Sequence, residues 1–592
     1  MKTKTTAIWF VFAAALFAFI WIFEHHFQAA PATSANLFPG LRAADVTGIQ
    51  IIPAGAKEIS VHREGKIWQL EKPMVYPVQP AAIQTLLAAL EKLTAVTRLT
   101  AGELSPHKNA DAEFGFENPQ VSLIVEAGDQ RWQLLVGNKT APGDQVFVRL
   151  VGVDGAFVTS VDWLKFLPPS ADAWRDTSLI AAADACDWIV ITNGTKVIEL
   201  RRDSTNQLWQ MLRPLPARAN SPRLTAALQQ LRAAQSVQFV TDDPKADLAT
   251  YGLQPAELDV WLGRGTNFFD AVHAGKATPE NPALIFARRE AYGSVLTVAK
   301  DALAVWRGAV NDFRDPHLLE LTAPIAEIEM RGETNFTLQH RANGWSVAGE
   351  KFPTDAENVQ ALLKLLASLR VVEFIKDVAT GPDLESFGLT APTRQVTLRT
   401  VAGETNSVLA QLLFGGGTNR IFVKRADEDF VYAVAAADVN RLPEHGWEFR
   451  ERRIWNFSET NVVQVTLHQG GKTRQLVRSG AHAWSFAAGS QGIINPPAIE
   501  EAIHRLGELT AAGWVGRNLS APAKYGLDTN NLAITTELKS GEKFTVNFGA
   551  ELPAADTALA AVTLDGERWA FVFPPVLYQL VVAYLTIPEN AP

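Results

Sequence analysis

Apolar positions along this chain follow two periods that alternate in a fixed order. Val46, Ile49 and Ile51, then Ile59 and Val61, then Trp68 and Leu70 are spaced as three short strands, each with one buried face. Pro73, Pro77 and Pro80 follow and are expected to stop strand pairing. Ile83, Leu86, Leu87, Leu90 and Leu93 then fall on one side of a helix. The same stripe returns at Val359, Leu362, Leu363, Leu366 and Leu369, and at Ile499, Ala502, Ile503, Leu506 and Leu509. It is weaker at Ser221, Leu224, Thr225, Leu228 and Leu231. Ser221-Pro222 and Asn495-Pro496 read as an N-cap followed by proline in the first helical position.

Beyond each helix lies a short β-rich piece, such as residues 371–374, and then an aromatic-glycine turn. The turns are Phe114-Gly115-Phe116, Tyr251-Gly252-Leu253, Phe387-Gly388-Leu389 and Tyr525-Gly526-Leu527, and their glycines are expected at positive φ. Four more strands follow, in the third copy at 396–398, 409–414, 421–424 and 431–434. The second of these ends at a glycine in every copy: Gly137, Gly275, Gly415 and Gly549. A closing helix is expected at positions such as 161–167 and 576–585.

Two landmarks keep one period. Trp68, Trp209, Trp345 and Trp484 are 141, 136 and 139 residues apart, and the turn glycines are 137, 136 and 138 apart. A period of this size is long enough for a repeat with its own core. Each repeat reads β-β-β-α-β-β-β-β-β-α. Its short connections imply antiparallel pairing, so the expected class is α+β: four tandem repeats, each an antiparallel β-sheet with packed helices. The expected bounds are 44–182, 183–321, 322–457 and 458–592. The helix is too short to stand alone, so its stripe must lie on the sheet with the tryptophan beneath it. On that reading, Trp345→Ala would cost about 3–5 kcal/mol.

Three repeats end in an aromatic-Arg-acid triplet: Trp174-Arg175-Asp176, Phe313-Arg314-Asp315 and Phe449-Arg450-Glu451. The last repeat, which has no successor, lacks it. The triplet reads either as part of the joint between repeats, its arginine bonding carbonyls or acids of the next one, or as a generic helix exit.

Residues 7–23 are an uninterrupted apolar run between Lys2 and Lys4 on one side and Glu24 on the other, with Trp9 and Trp21 near its ends. Residues 1–27 are expected to be an N-terminal transmembrane anchor with the N-terminus inside, and 28–43 a tether. A cleaved signal peptide, cut after Thr33-Ser34-Ala35, is the competing reading. No cysteine follows the run, which excludes a lipoprotein.

Composition adds mainly exclusions. The chain has 592 residues, 47% hydrophobic and 20% charged, with net charge −9. It has no long basic run, so a nucleic-acid partner is not expected. Cys186 is the single cysteine, which rules out an internal disulfide framework and a cysteine zinc cluster. The eleven histidines form no metal-ligand spacing. His25-His26 reads as an interfacial flank, and His62, His340 and His468 as strand residues. Gly415-Gly416-Gly417 reads as a hairpin turn. Thr241-Asp242-Asp243 and the acids at 427–429 read as solvated loops. No catalytic, cofactor-binding or metal-binding residue is assigned, and no cofactor is expected. What recurs is aromatic, glycine and leucine, the vocabulary of packing.

The apolar N-terminus, Trp68-Gln69-Leu70 and Trp345-Ser346-Val347 before a leucine helix, the Tyr/Phe-Gly-Leu turn and the Phe-Arg-Asp/Glu exit together resemble a bacterial envelope family, domain of unknown function 4340. The likeness covers nearly all the chain after the anchor and is weakest at Ser221 and Thr225. The resemblance implies no catalytic residues. It implies an accessory role in the envelope, since members often accompany genes for ABC exporters. The expected function is a non-enzymatic, membrane-anchored extracytoplasmic scaffold or accessory partner of an envelope complex at the cytoplasmic membrane. The alternatives are a glycan or small-ligand binding module, or a hydrolase with its site in one repeat.

Overall fold

The computed structural model describes residues 3–26, 36–107, 109–180, 185–321, 323–402, 405–417, 419–490, 492–528 and 532–587. It contains four antiparallel sheets of one topology. The chain divides into two compact units, Met1–Arg314 and Asp315–Pro592.

Helix α1 spans Thr3–His26. Its described side chains run from Trp9 to Trp21, so both ends of the expected span, and His25-His26 with them, lie outside the described side chains. Among the described residues no helix is long and apolar enough to cross a membrane. Of the expected tether, residues 28–35 lie outside the described residues. Leu37, Phe38 and Leu41 are buried in the first core, and Asn36 bridges to Thr94, so the chain is already part of the first repeat there.

In the first repeat β1 (Gly48–Pro53), β2 (Ile59–Glu64) and β3 (Ile67–Lys72) form a meander, extended by the two-residue β4 (Tyr76–Pro77). Proline does not stop pairing here. Pro77 sits opposite Gln69 on an edge strand, where a missing N–H leaves no interior bond unmade. Helix α2 (Pro80–Glu91) then crosses one face, and β5 (Thr97–Leu99) joins the opposite edge of the sheet. Four strands complete it: β6 (Val121–Ala127), β7 (Gln130–Lys139), β8 (Gln145–Leu150) and β9 (Ala156–Ser160). The order is β4-β3-β2-β1-β6-β7-β8-β9-β5, so β1 and β6 meet in the middle. The second repeat has the same nine strands; the third and fourth have eight, without the short edge strand.

The stripes are buried as their spacing requires. All five positions are core in the first and fourth repeats. In the second, Thr225 is exposed and Ala227 takes part instead. The cap there is Asn220, whose side chain accepts from Arg223 N–H at 3.1 Å; Ser221 is already helical and accepts from Trp209 N–H at 2.8 Å. Asn495 caps the fourth helix, accepting from Ala498 N–H at 3.3 Å. The closing segment is a 3-10 helix in the first two repeats (Val161–Phe166; Lys300–Leu303 with Val305–Arg307) rather than an α-helix. It is a single α turn, Ala436–Val439, in the third. In the fourth it is Pro575–Leu580, running into a π turn at Val581–Leu585.

The two repeated glycines form one device. Gly115, Gly252, Gly388 and Gly526 have φ of 82°, 69°, 70° and 65°, the left-handed turn that an L side chain resists. That turn lays the carbonyl of the preceding aromatic residue onto the strand glycine. A Cβ at Gly137, Gly275, Gly415 or Gly549 would fall inside the contact distance of the carbonyl of Phe114, Tyr251, Phe387 or Tyr525. Gly275→Ala is therefore expected to cost about 1–3 kcal/mol, through displacement of a backbone carbonyl that cannot rotate away. Urea denaturation of the full chain would read this, and an unchanged midpoint would refute it.

Candidate functional site

Cross-strand register gives each signature tryptophan a partner: Arg63 opposite Trp68, Arg202 opposite Trp209, Arg478 opposite Trp484, and His340 opposite Trp345. The three guanidinium groups lie 5.6, 5.0 and 4.5 Å from the ring centroids, a repeated cation–π cover. In the fourth repeat the cover is locked. Arg478 bonds both carboxylate oxygens of Glu500, one of them at 3.0 Å, and Trp484 Nε1–H donates to Glu500 at 3.0 Å. This recurring polar position is invisible to a search for aromatic, glycine and leucine. It emerges only once strands are paired, and counting back to the residue opposite each tryptophan would have exposed it.

The third repeat departs from its siblings at this spot. Trp68, Trp209 and Trp484 are buried, but Trp345 lies beside the helix only half-buried, which corrects the expectation that it is core. His340 is shorter than arginine and lies tilted beside the ring, 5.0 Å between centroids. Leu363 of the stripe is likewise half-buried, whereas its counterparts Leu87 and Ile503 are core. Gln360 stands where the fourth repeat has Glu500. These side chains line a groove of about 430 Å³ between the helix Ala356–Ser368 and the segment leading into the sheet. That volume falls in the range of small-ligand sites, ~300–1,000 Å³.

Within each compact unit the exit triplet belongs to the joint between repeats. Arg175 has no exposed side-chain surface. Its guanidinium lies 4.1 Å from the Tyr76 ring and 3.6 Å from that of Phe239, which belongs to the second repeat. It donates to Asp172 and Asp242 at 3.1 Å each and to Ser294 at 2.6 Å. Asp242 is thus a joint residue rather than part of a solvated loop. Arg450 repeats the arrangement: it sits 4.4 Å from the Trp569 ring, bonds Asp565 at 3.2 Å, and accepts at its carbonyl from Trp514 Nε1–H at 2.9 Å. Arg314 is buried as well and donates to Asn311 at 3.3 Å.

The outer face of the second sheet carries a third polar feature. His273 bonds Asp259 at 2.6 Å through Nδ1 and Glu290 at 2.8 Å through Nε2, beside the Trp261 ring. The Asp259 bond, together with that to Glu290, raises the imidazole pKa above its ordinary 6.5 against the opposing effect of burial. A raised folded-state pKa means that this contribution to stability is complete below pH ~6.5 and is lost as pH rises through the folded value. Wild-type protein is expected to lose stability across neutral to mildly alkaline pH, with His273→Gln removing that slope. Parallel slopes in urea titrations would refute the assignment. Both ring nitrogens are occupied, so neither is open to a metal. Among the described residues no group of three or more His, Cys, Asp or Glu is placed to hold a metal ion.

Of the other sequence candidates, Asp427 pairs with Arg425 at 2.7 Å, and His468 bonds Thr473 at 2.9 Å. His62 lines a second cavity with Trp68 and Tyr292. The glycine run at 415–417 lies between two antiparallel strands. Cys186 is buried, and burial pushes its thiol up to about 11.

Four sheets of one topology, with matched tryptophans, glycine pairs and caged arginines, define a tandem-repeat α+β protein. The chain belongs to the family described as domain of unknown function (DUF4340), whose sequence model matches residues 68–255, 209–382 and 345–530. Each match begins at a signature tryptophan and includes one exit triplet. No curated protein matches the chain. Solved structures that align with it include a protein described as a DNA polymerase III beta subunit from Eubacterium rectale. That one is 8% identical, covers 68% of this chain and 94% of its own, and has a TM-score of 0.12. A DNA polymerase sliding clamp from Pseudomonas aeruginosa is 9% identical, with 69% and 95% covered and a TM-score of 0.11. Likeness at that level carries no argument.

Proposed function

We propose that this protein is a non-enzymatic, membrane-anchored extracytoplasmic scaffold, an accessory partner of a cell-envelope complex such as an ABC-transporter system. One observation carries the reading: what the repeats share is spent on packing and joints. The tryptophans, stripes and glycine pairs fill cores, and the buried arginines Arg175 and Arg450 hold neighbouring repeats together. A duplicated catalytic centre would instead leave shared polar groups facing a common cleft.

The anchor rests on α1. Its large apolar side chains at Trp9, Phe10, Val11 and Phe12, and again at Phe17, Phe19, Ile20 and Trp21, are exposed on every side of the helix. The apolar run 7–23 within it reaches about 26 Å, the short end of what a membrane span needs. Lys2 and Lys4 orient the N-terminus inward. The direct test is alkaline carbonate extraction of membranes, followed by gentle crosslinking and purification. Retention in the pellet together with transporter or envelope subunits supports the proposal. Release into the wash refutes the anchor, and recovery of the protein alone refutes the scaffold.

A further inference from the structure

We propose that the groove beside Trp345 binds a single-chain amphiphile with an anionic head, of the fatty-carboxylate class. The inference goes beyond the scaffold reading and stands without it.

One matched position sets the groove apart from its siblings. His340 stands where each sibling has the arginine that covers the tryptophan, Leu363 is half-buried, and Gln360, like Gln84 in the first repeat, supplies no carboxylate of the kind Glu500 supplies in the fourth. Where the fourth repeat closes this place with a bidentate ion pair, the third leaves an open indole face.

The lining selects the ligand. Leu321, Pro324 and Ile325 form one wall, and Leu363 and Ala367 the other, with the Trp345 ring between them. These surfaces suit an alkyl chain. The polar ends are Trp345 Nε1–H, His340, Gln360 and Lys364. None of these side chains has a hydrogen-bond or ion-pair partner among the described residues. The set is rich in donors and contains no carboxylate, in a chain of net charge −9. Donors at the rim, one of them a lysine ammonium, call for an anionic acceptor. A sugar fits less well, because its hydroxyls need side-chain acceptors and only the Gln360 carbonyl and one histidine nitrogen can serve.

The test uses the full chain and a dodecanoate carrying a photoreactive diazirine at its far end. Label is expected in peptides bearing Trp345 or Leu363. Competition by octanoate, decanoate and dodecanoate is expected to strengthen about tenfold per two added methylenes. His340→Arg installs the residue its siblings carry, so the fold should hold by circular dichroism while groove labelling falls at least about fivefold. Lys364→Gln is expected to weaken competition by dodecanoate and leave that by dodecanol unchanged. The proposal is overturned by equal groove labelling in His340→Arg, or by label confined to residues 1–27. Chain-length-independent competition would overturn it too, as would a Lys364→Gln effect equal for acid and alcohol. So would tetragalacturonate binding that His340→Arg abolishes, which would reassign the groove to an acidic sugar.

Discussion

Trp209→Ala is expected to destabilise the protein by about 3–5 kcal/mol, whereas Trp345→Ala should cost under about 1 kcal/mol. The same residue type at the same repeat position gives opposite results because the surroundings differ. Trp209 is 1% exposed, with the Arg202 guanidinium 5.0 Å from its ring centroid. Its Nε1 has no hydrogen-bond partner among the described residues, so truncation removes packing alone and leaves a ring-sized void in a core that cannot collapse. Trp345 faces a groove already open to water, so little apolar surface is re-exposed when it goes. Urea unfolding of the full chain, with hydrogen exchange resolved by repeat, distinguishes the two. Equal losses at both sites would show that Trp345 is core after all.

Arg175→Ala is expected to cost about 3 kcal/mol and to act at the joint between the first two repeats rather than inside either core. The side chain is 0% exposed and stacks on rings from both repeats. Its removal leaves Asp242 and Ser294 without their cation, in a cage that only a guanidinium fills. Asp242 retains 31% exposure and can partly hydrate, which keeps the loss at the lower end of the range for a broken buried pair. Arg175→Met keeps much of the volume and is expected to recover part of the loss. Hydrogen exchange and limited proteolysis should show faster opening of residues 237–242 and 292–295. Protection there equal to wild type would refute the joint assignment.

Much of the architecture was legible in the residues because it depends on periodicity. The stripes, the positive-φ glycines and the succession of strands and helix along each repeat follow from local spacing. What escaped detection depends on distance in sequence. The arginine opposite each tryptophan lies five to seven positions away, but its meaning needs the strand register. Asp242 looks like a loop acid until Arg175 is brought beside it. Pro77 pairs because it is at an edge, a fact no local rule supplies. The candidate groove was hidden for the same reason: Trp345 fits the repeat motif perfectly, and only the loss of its covering arginine sets it apart.

The central pairing of β1 with β6 has a consequence for biosynthesis. Gly48 lies opposite Glu126, so the first hairpin has no neighbour on its inner side until the chain has been made and delivered beyond that point. Half a repeat is therefore not a smaller folded object but an open sheet edge liable to pair with strangers. A chain synthesised from its N-terminus should acquire order in four steps, each released by the appearance of its own sixth strand or its equivalent. Stalled or truncated products should be degraded in proportion to how far they stop short of the next such step.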